Sequence, residues 1–130
     1  MNANEARPSE KVIGCAIAVS NELGAGFLEA VYAGALAVEL TRQGIRFERE
    51  KRLQVFYKGV EIGTYYADFL VENCLLVELK ALKALVSEHE AQVMNYLRAS
   101  GITAALLLNF GTARLGVRRV VLGHDDSNYI

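Results

Sequence analysis

The chain has 130 residues, 52% of them hydrophobic and only one of them proline, with a formal net charge of −1. That length is one ordinary domain, and that composition supplies a buried core and excludes extended disorder away from the ends. The charge excludes a whole-protein positive field for nucleic acid, so any such binding must come from a local patch.

Residues Met1 to Pro8 are polar and carry no apolar signal core, and no run approaches the roughly 18 apolar residues that span a bilayer. A cytoplasmic protein with no membrane partner is expected. Cys15 and Cys74 fall in different predicted elements, which argues against a disulfide in a reducing compartment. Two cysteines are also too few to ligate an iron–sulfur cluster within one chain.

Val12, Ala16, Val19 and Leu23 recur at helical spacing, predicting a helix over Ser9 to Leu23 that Gly24 and Gly26 end. A second helix is expected from about Phe27 to Gln43, stopped by Gly44. The pattern then turns to strands. Arg46 to Tyr57 alternates imperfectly, Lys58-Gly59 reads as a turn, and Val60 to Val71 is rich in aromatic and β-branched residues. After a tight turn at Glu72-Asn73, Cys74 to Lys80 is a third strand, making an antiparallel meander. Ser87 to Ser100 reads as a helix, with Ser87 and Glu90 at the spacing of a capping box and Gly101 as its stop. The apolar run Thr103 to Asn109 predicts a central strand buried on both faces, and Arg114 to Leu122 the last strand. The polar ends, about 1–8 and 124–130, are expected to fray. The reading is one α/β domain over 1–130, a mixed central sheet flanked by helices, in the order α-α-β-β-β-α-β-β.

Two adjacent apolar strands carry the unusual residues: Asp68 on one, Glu78 and Lys80 on the other. Side chains two apart on a strand share a face, so Glu78 and Lys80 point the same way. Asp68 joins them only if directly opposed residues have numbers that sum to an even value. A two-residue turn would give an odd sum, so a three-residue turn or a β-bulge near Glu72 to Cys74 is required. Charges on a buried sheet are costly unless paired or bound to a metal. Two accounts therefore stay open at this point: an ion pair between Lys80 and an acid, or a Mg²⁺ or Mn²⁺ site with hard oxygen ligands.

An acid, then E-x-K across a hairpin resembles the signature of the PD-(D/E)XK nuclease superfamily. Gly26-Phe27-Leu28-Glu29-Ala30-Val31-Tyr32 resembles the G-x-x-E-x-x-Y element of the small bacterial GxxExxY family within it. Glu78-Leu79-Lys80, Gln92 to Leu97, Leu108-Asn109-Phe110-Gly111 and Arg118-Arg119 follow in that family's order. Ala67 precedes Asp68 where the superfamily name has proline, a residue that ligates nothing.

The resemblance implies hydrolysis of a phosphodiester in DNA or RNA. It implies Asp68, Glu78 and the Leu79 main-chain carbonyl as metal ligands, and Lys80 as the group that orients water or stabilises developing charge. Glu29 shares a helix face with Tyr32, Leu36 and Leu40, and the resemblance gives it a part in holding the metal; an acid favoured by the helix dipole is the plainer account. Gln92 and Tyr96, four apart on one face, resemble the Q-x-x-x-Y element of the exonuclease branch, the glutamine near the active site and the tyrosine supporting substrate contacts. His89 lies one turn earlier and reads first as a surface or capping residue. The basic runs Arg46, Arg49, Lys51, Arg52 and Arg114, Arg118, Arg119 read mostly as solvated strand faces. Two rival functions stand beside the nuclease: an inactive nuclease-fold binding or assembly module, and an enzyme for a small phosphate substrate. Homo-oligomerisation is left open.

Overall fold

A computed structural model describes residues 7–123. The expected frayed ends therefore lie outside the described residues, apart from Arg7 and Pro8, which open the first helix. Three helices and five strands follow in order: α1 (Pro8–Leu23), α2 (Glu29–Arg42), β1 (Phe47–Tyr57), β2 (Val60–Val71), β3 (Leu75–Lys80), α3 (Ser87–Ser100), β4 (Ala104–Asn109) and β5 (Gly116–Val121). This is the expected element order. Pro8 opens α1 because its missing N–H is one the first turn leaves unpaired anyway.

The strands form one sheet in the order β1-β2-β3-β4-β5. Neighbours are antiparallel except β3 and β4, which run parallel and are joined by the crossover through α3. The middle strand is β3. β4 lies second from the edge, not at the centre, yet all six of its residues are buried because helices cover both faces there. Tyr32, Leu36 and Leu40 of α2 and Val12, Ala16 and Val19 of α1 pack on Phe69, Val71, Leu75, Val77 and Leu79. Val93, Tyr96 and Leu97 of α3 pack on the other face, against Leu53, Ala67, Leu70, Leu76 and Leu107.

Three local departures matter for the site. α2 begins at Glu29, two residues later than its composition suggests, because the Phe27 N–H donates to the Tyr32 hydroxyl at 3.1 Å. That hydroxyl donates in turn to the Gly24 carbonyl at 2.6 Å, so Tyr32 staples the loop that leads into α2. At α3 the expected Ser87–Glu90 box does not form. Ser87 is already inside the helix, so Val86 takes the cap position and its N–H donates to His89 Nδ1 at 3.0 Å. Glu90 pairs with Arg118 instead. His89 is thus the capping residue it first reads as.

The β2–β3 connection is the three-residue turn the spacing requires. Val71 pairs with Leu75, leaving Glu72, Asn73 and Cys74 in the turn. Glu72 and Asn73 adopt left-handed backbone, φ 52° and 57°, and the Cys74 N–H returns to the Val71 carbonyl at 3.1 Å.

Candidate active site

β2 and β3 pair over only three residues each, Phe69 to Val71 with Val77 to Leu75. β2 is 12 residues long and continues outward with β1, while β3 turns its attention to β4. Beyond Phe69 and Val77 the two strands part, and the next residues in register are Asp68 and Glu78. Alternation along β2 also breaks here. Ala67 and Leu70, three apart, both pack under α3, while Phe69 packs on the opposite face. Opposite Asp68 on β1, Glu50 has left-handed backbone, φ 51°, and drops out of the ladder. This explains the imperfect alternation of β1.

Side chains take over where the ladder stops. The Asp68 N–H donates to Glu78 Oε1 at 2.6 Å, and the Leu79 N–H donates to Asp68 Oδ2 at 2.8 Å. Glu78 is 5% exposed and Asp68 half-buried. Burial, and then the Asp68 charge, push the Glu78 carboxyl up to about 8. Burial also raises Asp68, against the Leu79 N–H and the Lys80 and Arg49 charges, which lower it.

Lys80 lies close enough to act on both acids and on Glu29, yet it makes no ion pair within 4.0 Å among the described residues. A tight structural salt bridge, the plainer of the two accounts open from sequence, is therefore not what holds Lys80. Its backbone is fixed instead: it pairs with Asn109 on β4, and its carbonyl accepts the Phe110 N–H at 2.8 Å.

Glu29 is the first residue of α2 and is exposed. Partial burial and the nearby Asp68 charge raise its carboxyl, and Lys80 lowers it. The fold thus brings Glu29 to the edge of the Asp68–Glu78 site, in a position the helix dipole also favours. Tyr96 is buried on α3 beside Tyr65, with ring centroids 5.3 Å apart, and its phenol is pushed up to about 12 by burial and then by Glu78 and Asp68. Gln92 lies one turn before Tyr96 and is exposed, with no side-chain hydrogen bond among the described residues. The fold puts it on the expected stripe without tying it to the acids.

The Asn109-Phe110-Gly111 segment holds the site's far wall. Asn109 is buried; its Oδ1 accepts the Leu82 and Gly111 N–H groups at 2.9 and 3.1 Å, and its Nδ2 donates to the Leu82 carbonyl at 3.0 Å. This clamps the loop that follows Lys80. Gly111 lies so close to that loop that a Cβ would sit 2.1 Å from the Leu82 carbonyl oxygen. Phe110 stacks on Tyr32 at 4.8 Å, joining this wall to the loop before Glu29. Sequence reading picked out both motifs but not these supporting roles. Arg49, over the Phe69 ring at 5.5 Å and near Asp68, was one of a run of bases until the fold separated it. Of the others, Arg46, Lys51, Arg52 and Arg118 pair with acids, as solvated faces do.

The donor set suits a hard divalent cation. Each carboxylate spends one oxygen on a main-chain N–H, leaving Asp68 Oδ1 and Glu78 Oε2, and among the described residues no buried side-chain oxygen is sealed off without a partner. No group of three or more His, Cys, Asp and Glu side chains gathers as a metal cluster among the described residues. A cation here would draw on two carboxylates and complete its shell from water and main-chain oxygen, as Mg²⁺ commonly does.

The model for the PD-(D/E)XK nuclease superfamily matches residues 6–120. Solved structures with a similar fold include two that cover nearly all of this chain. One is an alkaline exonuclease, LHK-Exo, from Laribacter hongkongensis, with TM-score 0.53 and 13% identity over 95% of this chain and 74% of that one. The other is the protein SSO0001, with TM-score 0.51 and 14% identity over 99% of this chain and 72% of that one. Identities this low speak to the fold alone. Curated proteins yield no significant match.

Proposed function

This chain belongs to the PD-(D/E)XK nuclease superfamily, and from that premise we propose that it is a metal-dependent phosphodiesterase that cleaves DNA or RNA. The observation that carries the reading is the pair Asp68 and Glu78, two desolvated carboxylates crossed over a fork in the sheet, with Lys80 beside them and in no ion pair among the described residues. Two acids desolvated so close together are costly in a purely structural role and useful in holding a cation.

In this reading Asp68, Glu78 and the Leu79 main-chain carbonyl hold Mg²⁺ or Mn²⁺. Bound there, a divalent cation supplies Lewis acidity toward water and phosphate. Lys80, fixed by its backbone and free of an ion pair among the described residues, places its ammonium where negative charge develops on the phosphate. Glu29 takes up the outer hydration of the site from the start of α2, Gln92 reaches it from α3, and Tyr96 supports substrate from beside the two acids. The finer placement among the GxxExxY proteins rests on the segment Gly26 to Tyr32.

The test is cleavage of single- and double-stranded DNA and RNA with Mg²⁺ or Mn²⁺ and with chelator, for wild type and Lys80→Ala. Metal-dependent cleavage that falls on the order of 10²-fold or more in the variant, with metal binding retained, supports the reading. Equal cleavage by both proteins points to a contaminant and sinks it. Metal binding without cleavage of any substrate would favour the non-catalytic module, which the near-neutral charge also suits.

A further inference from the structure

The β1–β2 hairpin outgrows the rest of the sheet. Because β3 pairs with β2 only from Phe69 to Val71, the outer hairpin has no further strand beside it among the described residues, and α3 lies along one of its faces. Between hairpin and helix runs an open groove of about 520 Å³. Its lining includes Phe56 and Tyr65, 58% and 46% exposed, the amides Gln54 and Asn95, and Arg98. Arg98 donates to Asn95 Oδ1 at 3.0 Å but has no acidic partner among the described residues, unlike Arg46, Arg52 and Arg118. Among the described residues no Asp or Glu lines the groove. Its inner end is the Tyr65 ring against Tyr96, whose phenol feels Glu78 and Asp68. The groove therefore lies on the α3 side of the sheet, with Tyr65 and Tyr96 between it and the candidate active site.

We propose that this groove binds a single nucleic-acid strand running to or from the Asp68–Glu78 site, with bases stacked on Phe56 and Tyr65 and a phosphate on Arg98. The inference rests on the nuclease reading and narrows its substrate to an unpaired strand. Two accessible aromatic faces beside an uncompensated guanidinium match the parts that single strands recognise, base planes and a polyanionic backbone. The bases of a duplex are stacked on one another and cannot offer those planes. A neutral polypeptide would leave the Arg98 guanidinium without a counter-charge, whereas a strand running toward the Asp68–Glu78 site would meet both rings and the cation.

The test measures binding apart from chemistry. Fluorescence anisotropy with a labelled single-stranded DNA oligonucleotide, and with the same sequence as duplex, is run in chelator on wild type, Phe56→Ala and Arg98→Gln. Both side chains are exposed, so folding survives their loss, and circular dichroism checks this. Wild type is expected to bind the single strand more tightly than the duplex. Phe56→Ala should weaken single-strand binding roughly 5- to 150-fold, the range for loss of one stacked base. Arg98→Gln should lower the slope of log K against log salt by about 0.7, one phosphate contact on a single strand. Single-strand affinity unchanged in both variants, or equal affinity for duplex, overturns the proposal. So does a wild-type dimer that Phe56→Ala turns monomeric with no loss of DNA affinity, which would assign the groove to a second copy. Groove-dependent binding without any metal-dependent cleavage upholds the groove and sinks only the catalytic reading.

Discussion

Asp68 and Glu78 hold each other's strands: the Asp68 N–H is bonded to the Glu78 carboxylate, and the Asp68 carboxylate to the N–H of Leu79. Two side chains thus stand in for the backbone ladder at the point where β2 and β3 separate. The arrangement satisfies two main-chain donors in the fork, but it leaves two carboxylates close together in a place water reaches poorly. Several measurable consequences come from that conflict.

Asp68→Asn keeps an acceptor for the Leu79 N–H and removes a desolvated charge that, after burial, does most to raise Glu78. In chelator the variant should be more stable than wild type by about 1 kcal/mol, as expected where a site gives up stability for function. Millimolar Mg²⁺ or Mn²⁺ should raise the wild-type melting temperature, because a ligand of the folded state shifts the equilibrium toward it, and should raise the variant's much less. Thermal melts of both proteins decide the matter. A variant that melts lower in chelator, with a wild type indifferent to metal, would make Asp68 a structural residue.

The pH dependence has a definite sign. Burial and the Asp68 charge lift Glu78 from 4.5 to about 8, so between those values the folded protein binds a proton that the unfolded chain has released. Stability of the metal-free protein therefore falls as pH rises through that window. Glu78→Gln should remove most of this slope, gaining on the order of 4 kcal/mol near pH 8 and little near pH 4. Urea unfolding across the range would show it; parallel curves for the two proteins would contradict it.

Tyr32→Phe keeps the ring that stacks on Phe110 and deletes the hydroxyl that bonds Phe27 and Gly24. The loss should cost about 1–3 kcal/mol, since a main-chain donor and acceptor lose their partner. Amide exchange should quicken locally at Phe27 and Val31, ahead of α2. Exchange that quickens evenly over the chain would mean the hydroxyl does no more than add to global stability.

Gly111→Ala puts a methyl group against the Leu82 backbone, at 2.1 Å from its carbonyl oxygen and 2.3 Å from its nitrogen. Backbone cannot yield as a flexible side chain does, so the substitution should cost about 1–3 kcal/mol or more. Unfolding in urea measures it. The same change at Gly101, whose Cβ would meet nothing, should act only through its left-handed backbone and cost less.

Much of this was legible in the sequence because it rests on short-range rules. The parity of the Asp68–Glu78 register follows from the two-residue repeat of a strand, and so did the three-residue turn. The apolar spacing of Tyr32, Leu36 and Leu40 marks the buried face of α2 directly. What the sequence hides is long-range. Nothing near Asn109 in the chain points to Leu82, and nothing near Tyr65 points to Tyr96; those contacts exist only because the parallel β3–β4 pair and α3 bring them together. The capping expectation at Ser87 failed for a local reason, since His89 offers an imidazole nitrogen at the same spacing from Val86.

The parallel pairing of β3 with β4 has a consequence in time as well as in space. β1, β2 and β3 are joined by tight turns and can assemble as soon as they are made, but β4 reaches β3 only after the whole of α3 has intervened. Contacts that close long loops form late in folding, after the local ones. Lys80 gains its neighbour Asn109, and Tyr32 its stacking partner Phe110, only in that late step. On a ribosome, the strand that carries Glu78 and Lys80 would therefore emerge, pair on one side and wait. The fork would not be walled in until the last part of the domain had been synthesised.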